Sequence, residues 1–160
     1  MVSNRPTEGQ FKAVSVGEKH VCALTILGEI QCWGADFTGP TIYGTFSEIS
    51  SGNAFSCALE DDTFVIQCWT YDYVWGIPTE LVNNAPSDGP YQSLSCGREH
   101  CCAIHRIDEI IKCWGESSDA LVITDIPNDG TWIALTSGDD FACAIINSSF
   151  SITCWGDPFL

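Results

Sequence analysis

Four times along the chain, a short run of alternating apolar and polar residues opens on an aromatic and closes on glycine. The runs extend from Phe11 to Gly17, Phe46 to Gly52, Tyr91 to Gly97 and Trp132 to Gly138. A period of two is the mark of a strand with one buried face. After each glycine a short turn leads to a second apolar run carrying a Cys-Ala pair, and a third run then ends in Cys-Trp. No stretch keeps a helical period, so each copy predicts three short antiparallel strands in a meander. The starts lie 35, 45 and 41 residues apart, which puts the insertions into surface connectors between shared cores. The expected organisation is an N-terminal arm, 1–10, followed by repeats 11–45, 46–90, 91–131 and 132–160. Three strands alone bury little, so such units must stack, as propeller blades do.

The cysteines test this pattern. Cys22 and Cys32, Cys57 and Cys68, Cys102 and Cys113, and Cys143 and Cys154 each flank a polar interruption between two apolar runs. For the last three pairs the midpoints fall at 62/63, 107/108 and 148/149, where a two-residue hairpin turn is expected. Cys22 and Cys32 are one residue closer and centre on Leu27 beside Gly28, so their turn differs. Directly opposed residues on antiparallel strands lie within disulfide reach. Four cross-strand disulfides are therefore expected, each inside one repeat, the rival being four pairs of buried thiols. Cys96 and Cys101 flank the turn at Gly97 in the third copy alone and can bond to each other. Zinc held by Cys96, His100, Cys101 and Cys102 is the rival, but adjacent residues on a strand point to opposite faces, which does not suit one ion.

Ten cysteines in 160 residues, regularly placed, point to an oxidising compartment and an extracellular or cell-surface location. Asn147-Ser148-Ser149 is an N-glycosylation acceptor sequence at a predicted hairpin tip. The chain opens without an apolar leader, so an export signal is expected to have been removed or to lie elsewhere. No run is long enough to span a membrane as a helix. Acidic residues outnumber basic ones, 21 to 6, which opposes nucleic-acid binding. The acids sit in turns and connectors, as a solvated surface does. The segment 125–129 lacks calcium-loop spacing, and no cofactor or metal is expected.

The series aromatic, Ser-x-Gly, His-x-Cys-Ala-Leu and Cys-Trp-Gly resembles the regulator of chromosome condensation repeat superfamily. It is most similar to the cysteine-bearing, secreted branch of β-lactamase inhibitor protein II and the Crinkly-type receptor ectodomains. The resemblance covers residues 11 to 160, and it implies a ring of seven blades whose faces dock proteins. Three full repeats and a fourth stopping soon after Trp155 make only about half such a ring. The fold class expected is therefore an all-β, partial β-propeller of about four blades with cross-strand disulfides. Its apolar faces and strand edges need a longer chain, a second copy or a filament to cover them. Nucleotide exchange on chromatin is not carried over, because this acidic chain has no basic segment.

Catalysis is not expected. His20 and His100 share a repeat position filled by Phe55 and Phe141 elsewhere, which reads as packing, and His105 is expected to be exposed near a hairpin tip. No nucleophile, base and orienting acid converge in the pattern. Trp33, Trp69, Trp114 and Trp155 recur in register and are assigned to packing. Tyr71, Tyr73 and Trp75 are extra to the repeat and are the candidate contact surface, for protein or carbohydrate. Leu121, Val122 and Ile123 in the other long connector are expected to serve similarly. The function expected is a non-catalytic structural or protein-binding scaffold whose partner is another protein or itself. The alternatives are a lectin-like module and an inhibitor of an extracellular enzyme.

Overall fold

The computed structural model describes residues 5–34, 41–70, 79–115 and 120–157. They form four three-stranded antiparallel sheets in chain order. Blade 1 is β1 (Phe11–Val16), β2 (His20–Thr25) and β3 (Ile30–Gly34); blade 2 is β4 (Phe46–Ser51), β5 (Phe55–Glu60) and β6 (Ile66–Thr70). Blade 3 is β7 (Tyr91–Cys96), β8 (His100–His105) and β9 (Ile111–Gly115). The fourth repeat still supplies three strands, β10 (Trp132–Ser137), β11 (Phe141–Ile146) and β12 (Ile152–Gly156). Each middle strand pairs with both neighbours of its own blade, so every sheet is a meander. The first strand of each blade contacts the first and second strands of the blade beside it, which stacks the four in sequence.

The register puts the repeat cysteines directly opposite one another: Cys22 and Cys32, Cys57 and Cys68, Cys102 and Cys113, and Cys143 and Cys154. All four pairs are disulfide-bonded, and so are Cys96 and Cys101 across β7 and β8. Cys101 and Cys102, adjacent on β8, thus bond in opposite directions, as alternation on a strand requires. The turns are longer than two residues. Glu60 N–H donates to Val65 C=O, and Phe64 between them takes a left-handed φ of 57°. Glu109 and Phe150 repeat that conformation, and Gly28 supplies it in the shorter turn of blade 1. The cysteine midpoint is unchanged because a four-residue turn has the same parity as a two-residue one.

Two one-turn helices depart from the strand-only expectation: α1 (Thr79–Asn83) and α2 (Ala120–Thr124). Each lies against the outer strands of two successive blades, α1 on β6 and β9, α2 on β9 and β12. Leu81 and Val122 are buried there, and Trp155 Nε1 donates to Val122 C=O at 2.9 Å. Val122 therefore fills the wedge between blades, while Leu121 stays exposed.

The core lies between blades. Cys22 and Leu24 of blade 1 meet Phe46, Ile49, Ala58 and Trp69 of blade 2. Phe55, Cys57, Leu59 and Ile66 of blade 2 meet Tyr91, Leu94, Ala103 and Trp114 of blade 3. Cys102, Ile104 and Ile111 of blade 3 meet Trp132, Ala142, Ala144 and Trp155 of blade 4. The in-register tryptophans are packing residues in blades 2 to 4, whereas Trp33 of blade 1 is only half-buried.

Candidate functional site

Each blade has a front face, turned to the preceding blade, and a back face, turned to the next. The same positions make every contact, so the exposure of a position reports directly whether a blade lies over it. The opening aromatic is 0 % exposed at Phe46 and Tyr91 and 1 % at Trp132, but 38 % at Phe11. Three residues on, Ile49 and Leu94 are 8 % and 4 % exposed and Val14 is 64 %. At the other end of the stack, Ile66 and Ile111 are 6 % and 7 % exposed while Ile152 is 69 %. Phe141 is also open, although Phe55, His20 and His100 at its repeat position are buried. The front of blade 1 and the back of blade 4 are thus two halves of an interface made three times inside the chain and uncovered at its ends among the described residues. A hollow of about 240 Å³, whose lining includes Thr136, Cys143, Ile145 and Ile152, marks the back of blade 4.

Three hydrogen bonds recur at every internal junction. The aromatic N–H donates to the left-handed turn residue of the preceding blade: Phe46 to Gly28, Tyr91 to Phe64 and Trp132 to Glu109, at 2.8 to 2.9 Å. A strand N–H donates to a serine of the preceding blade: Ser51 to Ser15 Oγ, Cys96 to Ser50 Oγ and Ser137 to Ser95 Oγ, each at 2.9 Å. In the turns beside the axis the direction reverses. There Glu18 N–H donates to Asn53 C=O, Asn53 N–H to Arg98 C=O and Arg98 N–H to Asp139 C=O. Backbone groups of first strands, which have no sheet partner on the axial side, are satisfied in this way.

The glycines ending the first strands are required by close approach. A Cβ on Gly97 would stand 2.2 Å from both Gly138 O and His100 Cε1; on Gly52 it would stand 2.2 Å from Phe55 Cζ. This explains why the His/Phe position is a packing site: its ring lies on the glycine. His20 is buried, its Nε2 lies 2.8 Å from Ser56 Oγ, and burial pushes its pKa down to about 4 against a raising backbone bond at Phe55. His105, expected to be exposed, is instead partly covered, edge-on to Tyr91 and 2.6 Å from Asp108 Oδ1. His105 is the last residue of β8 and pairs with Tyr91, the opening aromatic of the same blade, rather than standing free at the hairpin tip. The four glycine turns line an axial hollow of about 670 Å³ whose lining includes the polar residues Glu18, Ser51, Asn53, Arg98, Ser137 and Asp139.

Other expected site residues fall as follows. Tyr71, Tyr73 and Trp75 lie outside the described residues. Asn147 sits in the turn after β11, where its Nδ2, the atom that would carry a glycan, donates to Glu109 Oε2 at 2.8 Å. The sulfurs of Cys57, Cys96 and Cys101 lie within 4.8 Å of one another, and each belongs to a disulfide. Glu48, not singled out in the sequence, is an ionisable group beside the junction of blades 2 and 3. Burial raises its pKa, and backbone hydrogen bonds from Leu94 and Ser93 oppose the rise. No helix among the described residues is long and apolar enough to cross a membrane.

The resemblance drawn from the sequence is found in comparisons with known proteins. Residues 11–39 match the model of the Regulator of chromosome condensation (RCC1) repeat. The fold is similar to the CRINKLY WD40 ectodomain of an Arabidopsis thaliana receptor kinase, with TM-score 0.73 and 25 % identity over 93 % of this chain and 51 % of that one. It is also similar to the entire ectodomain of a Physcomitrella patens receptor kinase, with TM-score 0.75 and 27 % identity over 94 % of this chain and 42 % of that one. Prp20p from Saccharomyces cerevisiae shares the fold at TM-score 0.68 and 15 % identity over 94 % of this chain and 47 % of its own. The chain spans about half the length of these relatives. It is a β-propeller repeat protein with cross-strand disulfides.

Proposed function

We propose that the chain is a non-catalytic scaffold of the extracellular space that binds protein through its two uncovered blade faces. The observation that carries this reading is the exposure of Phe11, Val14, Phe141 and Ile152 at positions buried in the other blades. Contiguous apolar surface that repeats the pattern of an internal core is the surface a protein partner covers. Five disulfides support an oxidising compartment, and the two receptor-kinase relatives are themselves ectodomains. The histidines support a non-catalytic role: His20 is held to Ser56 inside a blade junction and His105 to Asp108.

A photo-crosslinking residue placed at 14 or 152, with position 61 on an outer turn as control, tests the reading in the medium of producing cells. Protein adducts, identified by mass spectrometry, are expected at 14 and 152 and not at 61. Adducts at 61 alone, or none at either face, refute it. A sugar array read by tryptophan fluorescence is expected to show no response.

A further inference from the structure

We infer that Cys96–Cys101 is a thiol–disulfide exchange site, opened at Cys96 by a small thiol that enters the axial hollow. Its product is a Cys57–Cys101 bond joining blade 2 to blade 3. The two disulfides concerned are in contact. Cys57 Sγ, of the Cys57–Cys68 staple, lies 3.6 Å from Cys101 Sγ, and the sulfurs of Cys57, Cys96 and Cys101 lie within 4.8 Å of one another. The approach belongs to the repeat rather than to one side chain. Between blades 1 and 2 the same two positions are Cys22 and Ser56, and Cys22 Sγ stands 3.6 Å from Ser56 Oγ. Between blades 3 and 4 they are Cys102 and Ala142, which share one apolar cluster. The second position is a cysteine in blade 3 alone, so that junction sets one disulfide against another.

Cys96 is the point of entry. It borders the axial hollow and is 8 % exposed, whereas Cys57 and Cys101 are fully buried. Its bond to Cys101 closes a sequence separation of 5, against 10 or 11 for the other four, so chain entropy holds it least. The external thiolate attacks Cys96 Sγ and forms a mixed disulfide there, while the Cys96–Cys101 bond breaks and its electron pair leaves on Cys101. That thiolate lies among apolar groups, which disfavour its charge. It attacks Cys57 Sγ, forms the Cys57–Cys101 bond and expels Cys68 as thiolate. Cys68 is half-buried, and there the charge takes a proton from solvent. One thiol is consumed and one appears, and two disulfides remain two, so no oxidant is required. Cys102, adjacent on β8, faces the other side of the sheet and takes no part. The exchange frees β6 from its bond to β5. In return it links covalently two blades otherwise held by packing and hydrogen bonds.

Reduced glutathione added to the intact, disulfide-bonded chain tests this, with acid quenching, alkylation of free thiols and peptide mapping without reduction. At the lowest dose that reacts, the expected products are glutathione on Cys96, a Cys57–Cys101 cross-link and an alkylated Cys68. Cys22–Cys32, Cys102–Cys113 and Cys143–Cys154 are expected to be unchanged. The double variant Cys96→Ser/Cys101→Ser leaves blade 3 with the single staple that blades 1, 2 and 4 carry. At the same dose its alkylation at Cys68 is expected to fall roughly tenfold or more. An alkylated Cys101 beside an intact Cys57–Cys68 overturns the transfer. Attack first on a repeat staple, with Cys96–Cys101 still closed, overturns the point of entry. Equal labelling of Cys68 in parent and double variant overturns the relay, because Cys57–Cys68 is then opened directly. No reaction short of doses that unfold the chain overturns the exchange site itself.

Discussion

His20 offers a sharp test of the blade-junction packing. It stands where blade 2 has Phe55 and blade 4 has Phe141, and it is 2 % exposed with its ring against Gly17. Burial holds its pKa near 4, against 6.5 for the free side chain. Below about pH 6.5 the unfolded chain takes up a proton that the folded chain refuses, so stability falls as pH drops and levels off near pH 4. At about 1.4 kcal/mol per pH unit, that interval is worth at most on the order of 3 kcal/mol. His20→Phe removes this slope, and it fits because the same junction position accepts Phe55 with 0 % exposure. Loss of the 2.8 Å bond to Ser56 lowers stability by roughly 1 kcal/mol at every pH. Guanidinium unfolding with disulfides intact, at matched concentration from pH 7.5 to 4, should therefore show the curves crossing. The variant is less stable at neutral pH and more stable near pH 4. Parallel curves would refute the assignment of His20 as a buried neutral ring.

Further outcomes follow from the same geometry. Gly97→Ala forces a Cβ to within 2.2 Å of Gly138 O and is expected to destabilise by about 1 to 3 kcal/mol in denaturant unfolding. Gly130→Ala, whose nearest neighbour would be 3.7 Å away, is expected to change stability by under about 1 kcal/mol and serves as its control. Replacing Cys143 and Cys154 together by alanine opens a loop of sequence separation 11, a loss of about 3 kcal/mol in the loop-entropy model. Faster hydrogen exchange should then appear first in β11 and β12. Tyr91, buried and donating to Asp88, has its pKa pushed up to about 12, first by burial and then by that bond. Ultraviolet titration of Asp88→Asn should show this phenol ionising at lower pH than in the parent.

Alternation, the opening aromatics and the spaced cysteines were enough to determine the strands, their meander order and the pairing register. All of these are local: a period of two assigns a face to each residue, and opposed cysteines fix which residues meet. The strand starts at Phe11, Phe46, Tyr91 and Trp132 were legible for that reason. The helices α1 and α2 were not, because five residues carry too little period to read, and only burial of Leu81 and Val122 between outer strands holds them. Nor could the turns be read in full, since two- and four-residue loops leave the cysteine midpoint in the same place. The open faces required the tertiary structure. Val14 and Ile49 look alike in sequence, as do Ile152 and Ile111, and only the stacking decides which of each pair has a neighbour. The repeat determines what a blade can bind, whereas the position of the blade in the stack decides whether that capacity is already used inside the chain.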